Sequence, residues 1–338
     1  LAEALQSVPE ASRLAPTMQL KVLPQAKPVR DTYGEEPVEE PTEQPKGKIK
    51  LYWGCGTAIR PGQPKVVDFS TGTVGQLADI FKGRRATQRG AHSAPGRPVW
   101  PNLVDKRRVP DGASLVGAHA FKGQGVPESF KFNLPAPQDI MPPIALRQAQ
   151  AGGVTQLSWQ ALPTARAYFI AAMGGRDDDR GNAELTLWTS SELPDSGYGL
   201  IDYQTNKSVD QWLKEKVLLA PTATRCDIPK GIFPEDAGGM LRMIAYGSEL
   251  NLAHPSRPTD PTIAWEPEWS LKVRVKSVAM TMLGMPDMGD AGGMDDGAMD
   301  GSSMDDPEAS GEAPDEQPKK KKKFSLKDAL DAAKDSLP

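Results

Sequence analysis

Short segments of alternating polarity, each cut off by glycine or proline, run through most of this chain and leave almost no room for a long helix. Glycine and proline each occur 32 times in 338 residues. Such dense punctuation favours strands of a few residues joined by turns. No window approaches the ~18 to 20 uninterrupted apolar residues that a membrane-spanning helix needs. The mean hydropathy of -0.48 agrees. A mainly β protein with no transmembrane segment is therefore expected.

Charge and composition divide the chain further. Residues 1–46 carry five basic and eight acidic side chains, residues 284–338 carry seven and fourteen, and the segment between them is net +6. Within 1–46, a strand-like patch at 18–23 precedes Glu35-Glu36-Pro37-Val38-Glu39-Glu40-Pro41, which has too few apolar residues to offset its ordering entropy and reads as an extended linker. A first β-rich domain is expected over 47–141. There Ile49, Leu51 and Trp53 alternate with Lys48, Lys50 and Tyr52, the pattern of a strand with one buried face. Residues 65–69 follow the turn Arg60-Pro61-Gly62 as its hairpin partner, a short helix fits 74–81, and further strands fit 114–121 and 129–134.

The second half alternates more cleanly. Thr155, Leu157 and Trp159 interleave with Gln156, Ser158 and Gln160, and strands follow at 167–173, 184–190, 224–228, 240–247 and 269–278. In the last of these, Leu271, Val273 and Val275 face one way and Lys272, Arg274 and Lys276 the other. Ser208-Val209-Asp210-Gln211 is a capping box, so a helix is expected to start at Ser208 with Val209, Trp212, Leu213 and Val217 on one face, packed over one end of the sheets.

Leu157-Ser158-Trp159, then Ala165-x-x-Tyr168-Phe169-Ile170, then residues 241–247 resemble the B, C and F strands of a fibronectin type III domain. The resemblance covers 142–283; the first half resembles no family we recognise. It implies an immunoglobulin-like β-sandwich with Trp159 in the core between the sheets. The chain departs from the pattern where Gly239-Met240 replaces a tyrosine corner and where 195–221 is inserted. Domains of this family usually serve as binding modules or spacers.

Enzyme signatures are missing. Gly54-Cys55-Gly56-Thr57-Ala58-Ile59 lacks the third glycine of a dinucleotide loop, no G-x-S-x-G elbow occurs, and His92, His119 and His254 stand apart as loop or surface histidines. Asp177, Asp178 and Asp179, between Arg176 and Arg180, read as a solvated hairpin tip rather than a calcium loop. No cofactor is implied. Cys55 and Cys226 are expected to be buried free thiols, with a single disulfide as the alternative. Residues 82–108 hold eight basic side chains against Asp105, so Lys82, Arg84, Arg85, Arg89, Arg97, Trp100, Lys106, Arg107 and Arg108 are the candidates for an anionic ligand. A solvated loop is the favoured reading there, an acidic glycan or lipid head group comes next, and nucleic acid ranks last because its recognition motifs are absent.

In the Met/Asp/Gly-rich linker 284–323, low-complexity filler is the leading expectation, while Met282, just before it, forms with Met285 and Met288 an M-x-x-M-x-x-M array suited to Cu(I). The lysines 319–323 lead into an amphipathic helix over 324–338, where Leu326, Leu330 and Leu337 supply a docking stripe for a partner, an anionic membrane surface or the body of the protein itself. The chain opens at Leu1 without a basic-then-apolar signal, which suggests a processed or trimmed product. Together these features predict a non-enzymatic binding or structural protein of the bacterial envelope or extracellular space, engaging a protein or glycan. An enzyme whose site only the fold assembles, and a copper-handling protein, are the alternatives; a cytoplasmic location is the alternative compartment.

Overall fold

The computed structural model describes residues 2–7, 19–22, 47–68, 83–84, 100, 109–110, 112–123, 125–177, 183–233, 239–260 and 262–284. They are mainly β. In chain order the strands are β1 (Ala2–Ser7), β2 (Gln19–Val22), β3 (Gly47–Trp53), β4 (Lys65–Asp68), β5 (Gly117–Gly123), β6 (Lys131–Leu134), β7 (Arg147–Ala151), β8 (Val154–Ser158), β9 (Ala167–Asp177), β10 (Ala183–Thr189), β11 (Arg225–Ile228), β12 (Gly239–His254) and β13 (Trp269–Leu283). One α-helix, α1 (Asn206–Lys214), interrupts them among the described residues. Three sheets result: β2-β1-β5-β6, β13-β12-β9-β10-β3-β4 and β11-β8-β7.

The three-stranded sheet faces the six-stranded one across a shared core. Leu157, Trp159, Cys226 and Ile228 meet Tyr168, Ile170, Trp188, Leu241 and Met243 there. Trp159 meets the Tyr168 ring edge-on with centroids 5.6 Å apart, and the Tyr168 hydroxyl accepts the Leu162 backbone N–H at 2.6 Å. On the opposite face of the six-stranded sheet, Phe169, Ile244 and Tyr246 lie under Val209 and Trp212 of α1 and under Leu200 and Val217. β9 and β12 are thus buried on both sides. That is why Tyr168-Phe169-Ile170 and Met243-Ile244-Ala245-Tyr246 read as continuous apolar runs rather than as alternation.

Several expectations give way to tertiary pairing. The first is a boundary at residue 141 separating two β-rich bodies. Instead β3 pairs in parallel with β10 over its whole length, from Gly47 opposite Ala183 to Trp53 opposite Thr189, and β4 pairs with β3. Residues 47–68 therefore extend the sheet of the second half. The approach is close: a Cβ on Gly47 would lie 2.2 Å from the Ala183 carbonyl oxygen, so only glycine fits where the strands begin to run together. Because β3 is covered on two sides, Tyr52 is buried in the core between the sheets, although its sequence neighbours place it on the polar face.

The cysteines are not free thiols. Cys55, just past β3, is joined to Cys226 on β11, a disulfide across 171 positions that ties the two facing sheets together. Backbone bonds from Gly56 N–H to the Asp227 carbonyl and from Lys230 N–H to the Thr57 carbonyl hold the crossing segment in place. Helix α1 starts three residues before the expected position: Thr205 is the N-cap, and its hydroxyl accepts the Ser208 N–H at 3.2 Å. It covers the outer face of the six-stranded sheet rather than one end. His119, expected on a loop or at the surface, is buried on β5.

The β12–β13 hairpin reaches beyond the sheet. β9 accompanies β12 only from Gly239 to Tyr246, a register shift follows between Tyr246 and Glu249, and the distal ribbon runs on to His254 opposite Trp269. The linker and acidic segments at 23–46 and 285–323, the helix expected at 74–81 and the docking helix with Leu326, Leu330 and Leu337 lie outside the described residues.

Candidate ligand-binding face

The distal ribbon meets the β5–β6 hairpin through aromatic rings. On β5, His119 and Phe121 share a side by the two-residue period, while Phe132 lies on β6 and Phe130 just before it. His119 stacks on Phe132 with centroids 5.1 Å apart and Phe121 on Phe130 at 4.8 Å. Trp269, from the start of β13, closes the row at 4.9 Å from Phe130 and 6.4 Å from Phe132, and His254 stacks on Trp269 with centroids 5.9 Å apart. Rings at these separations attract one another in offset or edge-on arrangements.

Polar groups frame the rings. The Trp269 indole donates to Ser129 Oγ at 3.2 Å, and Ser129 donates to a Glu268 carboxylate oxygen at 2.5 Å. Buried His119 places Nε2 2.7 Å from the Leu115 carbonyl oxygen; since a carbonyl only accepts, that nitrogen carries the proton. Phe121, Phe130, Phe132 and Trp269 remain partly exposed and His254 is exposed. The result is a partly exposed aromatic strip of stacked and tilted rings with a carboxylate, a hydroxyl and an imidazole beside it.

This grouping was not read from the sequence. Its signal is the two-residue spacing of Phe130 and Phe132 at the start of β6; nothing local points to Trp269, more than 130 positions away.

A second polar cluster sits on the six-stranded sheet. Arg176, Glu184 and Lys48 are cross-strand neighbours on β9, β10 and β3. Glu184 is buried and receives Lys50 Nζ at 2.7 Å, Lys48 Nζ at 3.0 Å and Arg176 at 3.0 Å. Burial pushes its carboxyl up, but the hydrogen bonds from Lys50 and Lys48 with their charge and that of Arg176 outweigh it and hold the group at about 2. Burial, reinforced by the Glu184 charge, raises the nearby Tyr52 phenol above its ordinary value. Three cations of the same sheet neutralise Glu184, which makes the cluster a structural device.

The sequence-derived candidates fare differently. Arg84 pairs with Asp195 at 3.1 Å and with Glu215 at 2.9 Å, so its charge is engaged by the protein's own carboxylates. Trp100 is half-buried. Lys82, Arg85, Arg89, Arg97, Lys106, Arg107 and Arg108 lie outside the described residues, as do Met285, Met288, Asp178 and Asp179. Met282 stands exposed on β13. Among the described residues no group of three or more His, Cys, Asp or Glu side chains is placed to hold a metal ion, and no helix is long and apolar enough to cross a membrane. Compared with known protein families, curated proteins and solved structures, the chain matches none.

Proposed function

We propose that residues 142–283 form a fibronectin type III-like sandwich, extended by β3 and β4, and that the protein is a non-enzymatic glycan-binding module of the envelope or extracellular space. Strand order supports the fold assignment. β7-β8-β11 facing β9-β12-β13 follows the A-B-E and C-F-G sheets of an immunoglobulin-like sandwich, with β10, β3 and β4 continuing the second sheet beyond C. The Cys55–Cys226 disulfide supports an oxidising compartment.

The observation that carries the binding reading is the row Phe121, Phe130, Phe132 and Trp269 at the end of the long hairpin. Aromatic faces take up the C–H surfaces of sugar rings, while Glu268 and His254 offer polar groups to the hydroxyls. Electrophoresis of the full chain through gels containing a panel of neutral and acidic polysaccharides tests it. Retardation by at least one polysaccharide, lost in Trp269→Ala, is expected; equal mobility in every gel overturns the reading.

A further inference from the structure

Four methionines stand on the outward face of the six-stranded sheet: Met173 (37% exposed), Met240 (36%), Met280 (43%) and Met282 (42%). Three of them form one row. Met240 is directly opposite Met173 on β9 and directly opposite Met282 on β13. Opposed residues of antiparallel strands hold their Cβ atoms about 4.5–5.5 Å apart, a gap that flexible thioether side chains span, so three sulfurs can converge above Met240. The row continues through buried Leu187, opposite Met173, to buried Leu51, which gives the sulfurs an apolar flank. Met280 is set apart: one row away, it accepts a hydrogen bond from Arg242 Nη2 at 3.6 Å.

We propose that Met173, Met240 and Met282 form a three-thioether site for a soft monovalent cation, Cu(I) or its redox-inert analogue Ag(I). A single exposed methionine needs no explanation, but three opposed on three adjacent strands occupy positions where β-branched residues fit a sheet better. Thioethers are neutral soft donors that select Cu(I), and nothing in the row offers the oxygen ligands that calcium or magnesium require. Arg242, two positions from Met240 on the same face, adds a positive charge that weighs more heavily against a divalent ion than a monovalent one. Both cysteines are held in the disulfide, so no thiolate competes. Met282 is shared with the M-x-x-M-x-x-M run, but its partners here come from other strands instead of Met285 and Met288.

Titrating Ag(I) into the full chain labelled with 13C at the methionine methyl groups tests the site. The methyl signals of Met173, Met240 and Met282 should shift together and saturate at one equivalent. Cu(I) affinity, read by competition with a chromophoric chelator, should fall at least tenfold in the variant Met173→Leu/Met240→Leu/Met282→Leu and hold in Met285→Leu/Met288→Leu. Shifts confined to methionines after Met282, no shift at stoichiometric Ag(I), or parental affinity in the triple variant would each overturn the proposal. Should the triple variant not fold, the methyl shifts of the parent decide alone.

Discussion

Cys55 and Cys226, 171 positions apart, are covalently joined where the end of β3 crosses to β11, so the bond spans the two sheets that enclose the core. Closing so long a loop removes much of the freedom of the unfolded chain. Replacing both cysteines by serine should lower unfolding free energy by about 3 to 5 kcal/mol in urea titrations. A loss below ~1 kcal/mol would mean that the parallel pairing of β3 with β10 fixes this edge without the bond.

Glu184 predicts a pH dependence. Its carboxyl is held at about 2 in the folded protein against an ordinary 4.5, so its contribution is fully present above pH 4.5 and is lost as pH falls toward 2. Lys48 and Arg176 are 42% and 52% exposed, and solvent screening of those pairs brings the expected contribution to roughly 2 kcal/mol. Glu184→Gln should therefore flatten the stability profile between pH 2 and 4.5 and cost most near neutrality. Parallel profiles for parent and variant would contradict this.

Trp159 fills the space between the sheets, yet its indole N–H finds no hydrogen-bond partner among the described residues. Its value is thus packing alone. Trp159→Ala should cost about 3 to 5 kcal/mol, and Trp159→Phe, which keeps a ring and removes an unpaired polar atom, clearly less. Denaturant midpoints of the two variants check the order; equal losses would contradict it.

What the sequence made legible was local. The alternation of Thr155, Leu157 and Trp159 matches β8 and the segment after it, and the burial of Trp159 follows from its parity with Leu157. Residues 269–278 likewise lie within β13. What stayed hidden depends on partners far along the chain. No residue near Gly47 encodes the choice of β10 as its neighbour, and the bare Cα of that glycine acquires meaning only beside the Ala183 carbonyl. Tyr52 looked polar by period, but it lies beside Trp188 on the face that the three-stranded sheet covers. Ser208 and Thr205 both carry capping hydroxyls, and the fold uses the earlier one. The aromatic row needed the bulged β12–β13 ribbon to carry Trp269 to Phe130 and Phe132.

The most direct test of the glycan-binding account is to titrate 15N-labelled protein with an oligosaccharide of the polysaccharide that retards it. The account predicts that the Trp269 indole N–H and the β5 and β6 amides shift progressively, while the amides of β8 and β11, which carry core residues between the facing sheets, stay still. Shifts absent from Trp269 and concentrated on those core strands or elsewhere would contradict it.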